Sequence, residues 1–315
     1  MGEFDLIARF FTRPCQRAVV GVGDDCALLQ PTPGMQLAIS TDMLVSGQHF
    51  FSDVDPYALG HKALAVNLSD LAACGAKPWA FTLALALPNA DPVWLQAFAN
   101  GMFALAEQHH CELIGGDTTH GPLTINITIF GEIPPGQALL RSGAQPDDDI
   151  YVSGTLGDAR LALEALQGKL LLPEPDLAQA RLRLERPTPR VGLGLALRGI
   201  ATSAIDVSDG LLGDLQHVLD ASKLGATLHT TTLQRLMTAP NHPLRYVLAG
   251  GDDYELVFTA PTRQRAAVAA AALDSGTPVT RIGRIDKPPG IRLLDAHGAL
   301  VSGNFAAFDH FKTAG

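Results

Sequence analysis

Short apolar runs rich in β-branched residues alternate along this chain with longer stretches of helical period, and that alternation confines the fold to a layered α/β (α+β) architecture. A strand is expected at 37–40, running into Thr41 and Asp42. Asp55 then caps a helix whose first residue is Pro56 and whose end near Cys74 is marked by Gly75. A strand at 81–87, a helix over 92–109 and a short strand at 113–114 follow. Gly115, Gly116 and Asp117 read as a turn, and Ile125, Ile127 and Ile129 as one face of an alternating strand. After a stretch at 133–149 rich in Pro, Gly and Asp, the pattern resumes. Strands are predicted at 150–153, 204–207, 254–259 and 279–285. Helices are predicted at 158–166, from Asp209-Gly210 to about Ser222, and over 263–273, with a hairpin-like segment at 291–301.

A length of 315 residues exceeds what one core comfortably serves. Two domains are therefore predicted, at 1–137 and 138–315, meeting in the Pro/Gly/Asp-rich stretch. The net charge of −9, with no basic run to offset it, argues against nucleic acid as a partner. Cys15, Cys26, Cys74 and Cys111 show no paired ligand spacing and read as reduced thiols of a cytoplasmic protein. The opening MGEFDLIARFFTRP lacks the long apolar core of a secretory leader, and no apolar run is long enough for a membrane span.

The aspartates carry the functional signal. Asp24 and Asp25 follow Gly-Val-Gly, Asp42 and Asp117 are placed at strand ends, and Asp206 and Asp209 at a strand-to-helix junction. Such ends are where α/β proteins assemble ligand sites. Singly, each reads first as a turn former or helix cap. Asp70 is different: Leu59, Ala63, Val66, Asp70 and Ala73 share one helical stripe, so a carboxylate interrupts an apolar face. It calls for a metal or a basic partner, for which Lys62 is the candidate. All-oxygen donors without His or Cys clusters favour Mg²⁺ over zinc. His109 and His110 are read as interacting with a helix dipole. The chain lacks a GxxxxGK[ST] loop and the protein-kinase signatures. A polyphosphate-binding enzyme of this charge then needs several divalent ions between its carboxylates and its substrates.

Seven segments extend this reading: GVGDDCALL (21–29), AISTDMLVSGQHF (38–50), KALAVNLSDLAACGA (62–76), LIGGDTT (113–119), LLRSGAQPDD (139–148), AIDVSDGL (204–211) and GGDDYELVF (250–258). Together, in this order, they resemble the thiamine-monophosphate kinase family, whose fold is shared with aminoimidazole ribonucleotide synthetase. The resemblance implies a homodimer in which N-terminal strands of two subunits form a barrel. It also implies direct transfer of the ATP γ-phosphoryl group to thiamine monophosphate. By matching position, Asp25, Ser40, Thr41, Asp42, Asp70, Asp117, Asp206 and Asp209 would bind several Mg²⁺ ions, with Asp25, Asp42, Asp70, Asp117 and Asp209 the catalytic set. Gly116, Asp117, Arg141 and Ser208 would contact ATP; His49, Asp252 and Phe308 would contact thiamine monophosphate. The family usually carries Glu where this chain has Asp252, and often Tyr in place of Phe308, so substrate affinity is where differences are expected. The rival readings are a sibling enzyme of the same fold and a nucleotide sensor without turnover. Selenophosphate synthesis would need a reactive partner near Cys15, and a hydrogenase-maturation relative would end in a cysteine rather than Ala314-Gly315.

Overall fold

The computed structural model describes residues 2–238 and 242–301. The chain divides into two compact units, Met1–Leu71 with Ala76–Gly136, and Ala72–Gly75 with Gln137–Gly315.

In the first unit, strands β1 (Ala18–Val20) and β2 (Leu28–Leu29) form a small ribbon. Strands β3 (Gln36–Val45), β4 (Lys77–Leu87), β5 (Glu112–His120) and β6 (Thr124–Ile133) form a sheet in the order β3-β6-β4-β5. Only the β4–β5 pair is parallel. Alternation sorts the faces: Ile125, Ile127 and Ile129 of β6 are buried, whereas Asn126 and Thr128 between them are half-exposed. The buried side faces the helices Pro56–Cys74 and Pro92–Gln108. Asp55 caps the first as expected, its carboxylate accepting the Ala58 N–H at 2.9 Å. The two helices cross through glycines; a Cβ on Gly60 would lie 2.0 Å from the Phe98 carbonyl oxygen, and one on Gly101 1.9 Å from that of Tyr57.

The other face of this sheet is open along β3, where Leu37, Ile39 and Met43 are 43%, 60% and 54% exposed. At one end it is partly covered by Ala18, Ala27 and Leu29, which with Phe130 pack against Trp79, Ala80 and Ile114. Among the described residues the sheet is open and no barrel closes.

The second unit holds a six-stranded sheet of β7 (Asp149–Ser153), β8 (Ser203–Asp206), β9 (Gly225–His229), β10 (Leu256–Ala260), β11 (Val279–Asp286) and β12 (Gly290–Leu294), in the order β12-β9-β11-β7-β10-β8. All neighbours are antiparallel except β12 and β9. The central strands β7 and β10 are buried at every position. Helices Asp158–Leu166, Leu211–Ser222 and Arg265–Asp274 match the predicted ones to within two residues. Helices Glu174–Glu185 and Val191–Ala196 and strand β9 were not expected from the sequence. The first two lie in Leu-, Arg- and Pro-rich sequence whose apolar period is weak.

One expectation needs correction. Gly115, Gly116 and Asp117 are not a turn but part of the continuous strand β5, and neither Asp42 nor Asp117 ends its strand. Between Phe81–Thr82 and their β5 partners the register shifts, Phe81 pairing with Leu113 and Thr82 with Gly115. This bulge leaves Ile114 and Gly115 on the same face. The hairpin-like segment expected at 291–301 is present: β12, which also pairs in parallel with β9, turns back after Asp295 to an antiparallel bridge between Leu294 and Leu300, with the Val301 N–H donating to the Leu293 carbonyl and the Asp295 N–H to that of Ala299, both at 2.9 Å. His109 stands at the C-cap of the helix Pro92–Gln108, where burial, with His61 and His110 nearby, lowers its pKa below the ordinary value. Among the described residues no helix is long and apolar enough to cross a membrane.

Asp149 anchors the centre of the second sheet. Its buried carboxylate accepts from Arg265 Nε at 2.6 Å and Nη2 at 2.9 Å, and from Arg281 Nη1 at 3.1 Å. Burial alone would raise its pKa, but the two guanidinium groups override it and hold the carboxyl below the usual range. A carboxyl depressed on folding adds stability above its unfolded value, and that stability is lost as pH falls through the folded value. Asp149→Asn is expected to lose about 1–3 kcal/mol at neutral pH. The gap to the parent protein should close as pH drops below about 4 in urea denaturation.

Candidate active site

The sequence-marked residues of the first unit fall into two groups. The first lies on the edge strand β3 and the neighbouring helix. Ser40 and Asp42 point toward the helix layer, in step with the buried Ile127 and Ile129 that face them in register. The Ser40 hydroxyl donates to the Asp70 carboxylate. The Asp42 N–H donates to Asn67 Oδ1 at 3.2 Å, and Asn67, almost fully buried, is itself fixed by donating to the Ala63 carbonyl at 3.0 Å. Asp70 thus interrupts its apolar stripe because that part of the helix looks onto the polar edge of β3. Thr41 points the other way and bonds to the Ile127 carbonyl at 3.0 Å and Thr128 Oγ1 at 3.1 Å. Lys62 is 3% exposed and its Nζ lies 3.4 Å from the His49 carbonyl. The His49 ring accepts the Val45 N–H through Nδ1 at 2.9 Å, which leaves Nε2 to carry the proton of the neutral ring.

The second group lines a cleft of about 600 Å³ beside β5. Asp24, Asp25, Gly115, Gly116 and Asp117 supply its polar wall, and Phe4, Ile7 and Phe11 its apolar one. Asp24 accepts the Asp25 N–H at 2.8 Å, an arrangement that steadies the ribbon between β1 and β2. Gly116 has φ +148°, and a Cβ there would stand 1.8 Å from the Leu83 carbonyl oxygen. Only glycine lets β5 approach β4 this closely.

These two groups do not meet within the first unit. β3 and β5 are the opposite edges of a four-stranded sheet, so three strand spacings, about 14 Å of backbone, separate them. Asp42 faces the helices and Asp117 the open side. Among the described residues no three His, Cys, Asp or Glu side chains gather so as to hold a metal ion. The donors themselves, carboxylate and hydroxyl oxygens without sulfur or imidazole, have the chemistry that suits a hard divalent cation.

In the second unit, two sequence motifs are joined by the backbone. Asp206 ends β8, and the turn Val207–Gly210 leads into the helix Leu211–Ser222. Against this turn lies the segment 250–255. Asp252 N–H donates to the Ser208 carbonyl at 2.7 Å, Tyr254 N–H to that of Val207 at 2.8 Å, and Val207 N–H to that of Glu255 at 2.7 Å. Asp252 and Tyr254 adopt φ of +61° and +51°, a left-handed backbone unusual for side-chain-bearing residues. Ser208, Asp209 and Asp252 are therefore neighbours. Arg141 is exposed on the loop before β7, whose Leu140 carbonyl accepts the Ala204 N–H at 2.9 Å. Phe308 lies outside the described residues.

Sequence reasoning missed the acids beneath this surface. Glu255 is fully buried and gripped by Arg183 Nη2 and by Nε and Nη2 of Arg190, each at 2.6 Å, and by Ser153 Oγ at 2.5 Å. Asp253 accepts the Gly157 N–H at 3.0 Å, and burial raises its pKa well above the usual carboxylate value. Asp214 accepts N–H groups from Asp209 and Gly210, both at 3.1 Å. Burial pushes it up to about 7 against the pull of those amides, with the Asp209 charge adding to the rise. A usable signal was the run of acids in 252–255, which alternates a half-exposed residue with a buried one.

Residues 23–133 match the AIR synthase related protein N-terminal domain, and residues 136–295 the corresponding C-terminal domain. A thiamine-monophosphate kinase from Salmonella typhimurium is 47% identical, with 99% of each chain aligned. The chain belongs to the thiamine-monophosphate kinase family. The crystal structure of a family member from Stenotrophomonas maltophilia matches at a TM-score of 0.82 and 47% identity, over 92% of this chain and 94% of that one. A structure of AaThiL complexed with AMPPCP and TMP matches at a TM-score of 0.76 and 29% identity, over 90% and 89%.

Gly116→Ala tests the close strand approach. The clash and the strained φ together are expected to cost at least about 2 kcal/mol. Guanidinium denaturation of the two proteins would read the difference, and equal midpoints would refute the packing argument.

Proposed function

We propose that this chain transfers the γ-phosphoryl group of ATP to the phosphate of thiamine monophosphate, giving thiamine diphosphate in the cytoplasm. The observation that carries this is family membership along the whole chain, together with the motifs that match the family in both units. The related complex with AMPPCP and TMP supports the choice of both substrates.

The acceptor is already an anionic oxygen, so the chain needs no strong general base, and its task is to position two polyanions and offset their charge. Asp25, Ser40, Thr41, Asp42, Asp70, Asp117, Asp206 and Asp209 are the proposed holders of several Mg²⁺ ions. When bound, such ions neutralise phosphate charge and stabilise what develops during transfer. The N–H groups of Gly116 and Asp117, the Arg141 guanidinium and the Ser208 hydroxyl would orient ATP. The Nε2–H of His49 would hydrogen-bond to the acceptor phosphate, keeping its proton. Asp252 and Phe308 would hold the thiamine portion; an aromatic ring there could face the cationic thiazolium.

A homodimer is part of this reading, with N-terminal strands of two subunits closing a barrel. The exposed Leu37, Ile39 and Met43 on the open face of the first sheet support it, since such a row is costly to leave in water. A second copy would also offer a way to complement acids that lie on opposite edges of one sheet. Residues 1–137 would then serve dimerisation and metal–ATP binding, and 138–315 would complete the nucleotide and substrate site.

In magnesium buffer, ATP consumption should depend on thiamine monophosphate and yield thiamine diphosphate. Binding of both ligands without product would favour a sensor instead. Asp70→Asn and Asp117→Asn should each lower turnover by at least about a hundredfold, and near-normal rates in both would defeat the metal assignment. Ile39→Lys should convert the dimer to a monomer in sedimentation analysis. A parent protein that sediments as a monomer would remove the dimer from the reading.

A further inference from the structure

The turn after β8 carries Ser208 and Asp209, and it is held from beneath by a carboxylate to which the mechanism above gives no role. Asp214 lies one turn into the helix Leu211–Ser222 and is 3% exposed. One of its oxygens, Oδ2, accepts both the Asp209 and Gly210 N–H groups at 3.1 Å. On the far side, the Ser208 carbonyl accepts the Asp252 N–H at 2.7 Å. Gly210 adopts φ +112°, and a Cβ there would lie 2.8 Å from Ala249 Cα, so the turn has no room to move toward that segment. The Ser208–Asp209 peptide is thus held at both ends, its N–H by Asp214 and its carbonyl by Asp252, and the N–H of the next peptide is held by Asp214 as well.

We propose that Asp214 is a positioning residue for the reaction: by holding the Asp209 and Gly210 amides it fixes where the Ser208 and Asp209 side chains point. Through the Ser208 carbonyl it also sets Asp252. The inference rests on the reading that these three residues serve phosphoryl transfer. Without the carboxylate, the part-buried Asp209 N–H and the buried Gly210 N–H lose their acceptor, and the turn relieves this by rotating its peptides toward water. That rotation displaces Asp209, and displacements of about 1 Å in a site of this kind cost about a hundredfold in rate.

The test compares Asp214→Ala, Asp214→Asn and Val218→Ala, the last a core truncation on the same helix, where Val218 is 1% exposed. Asp214→Ala is expected to lower kcat/KM by at least about tenfold and to raise the magnesium concentration for half-maximal rate. Amide hydrogen exchange at Asp209 and Gly210 should quicken by at least about tenfold. Asp214→Asn should recover most of each loss, because its Oδ1 can accept both N–H groups. Val218→Ala should lower the unfolding temperature and move neither magnesium dependence nor exchange at the turn. The proposal is overturned if folded Asp214→Ala keeps the parent's magnesium dependence and exchange rates, or if Val218→Ala shifts them equally. Should the parent make no thiamine diphosphate, the proposed function falls instead, and the exchange rates, which need no substrate, still decide whether Asp214 holds the turn.

Discussion

Carboxylates cannot be buried or crowded without compensation, and in an acidic chain that constraint shapes both units. The buried acids of the second unit are each met by specific partners. Asp149 faces Arg265 and Arg281, Glu255 faces Arg183 and Arg190, and Glu164 faces Arg160 and the Tyr246 hydroxyl. Asp253 and Asp214 rely on backbone N–H groups. In the first unit the marked acids are instead distributed between two edges of one sheet. The second unit thus separates acids tied into its interior, such as Asp253 and Glu255, from acids nearer its surface, such as Asp209 and Asp252.

This division explains why one short motif can do two things. In Asp252-Asp253-Tyr254-Glu255, the first residue stands at the surface beside Ser208, while Asp253 and Glu255 are tied into the interior. The left-handed φ of Asp252 and Tyr254 is sustained by backbone bonds to Val207 and Ser208 on one side and by the buried arginine cluster on the other. The surface chemistry of the loop is thus inherited from a salt-bridged foundation that lies in a different stretch of sequence.

Much of the architecture was legible because it is written in period. The helix from Pro56 to Cys74 and the strand through Ile125, Ile127 and Ile129 are called by apolar spacing and caps alone. Asp70 was visible as an interruption of a stripe, and its contact with Ser40 accounts for it. What was not legible depends on partners remote in sequence. Glu255 gives no hint of Arg183 and Arg190 until the chain is folded, and the strand order that parts Asp42 from Asp117 is a property of topology. Gly115 and Gly116 misled because two adjacent glycines signal a turn, whereas here they serve a bulge and a close interstrand approach.

That bulge has a consequence for how the strand can vary. Every residue of β5 beyond it has its parity reset by the one extra position between Leu113 and Gly115. Asp117 looks into the cleft, and Thr118 into the core, only because of that offset. Shortening the chain by a single glycine would therefore straighten the strand and leave both faces as they are, whereas regular pairing at the present length would drive the acid among the helices and put the threonine outside. Length at this point is as much a part of the code as residue identity.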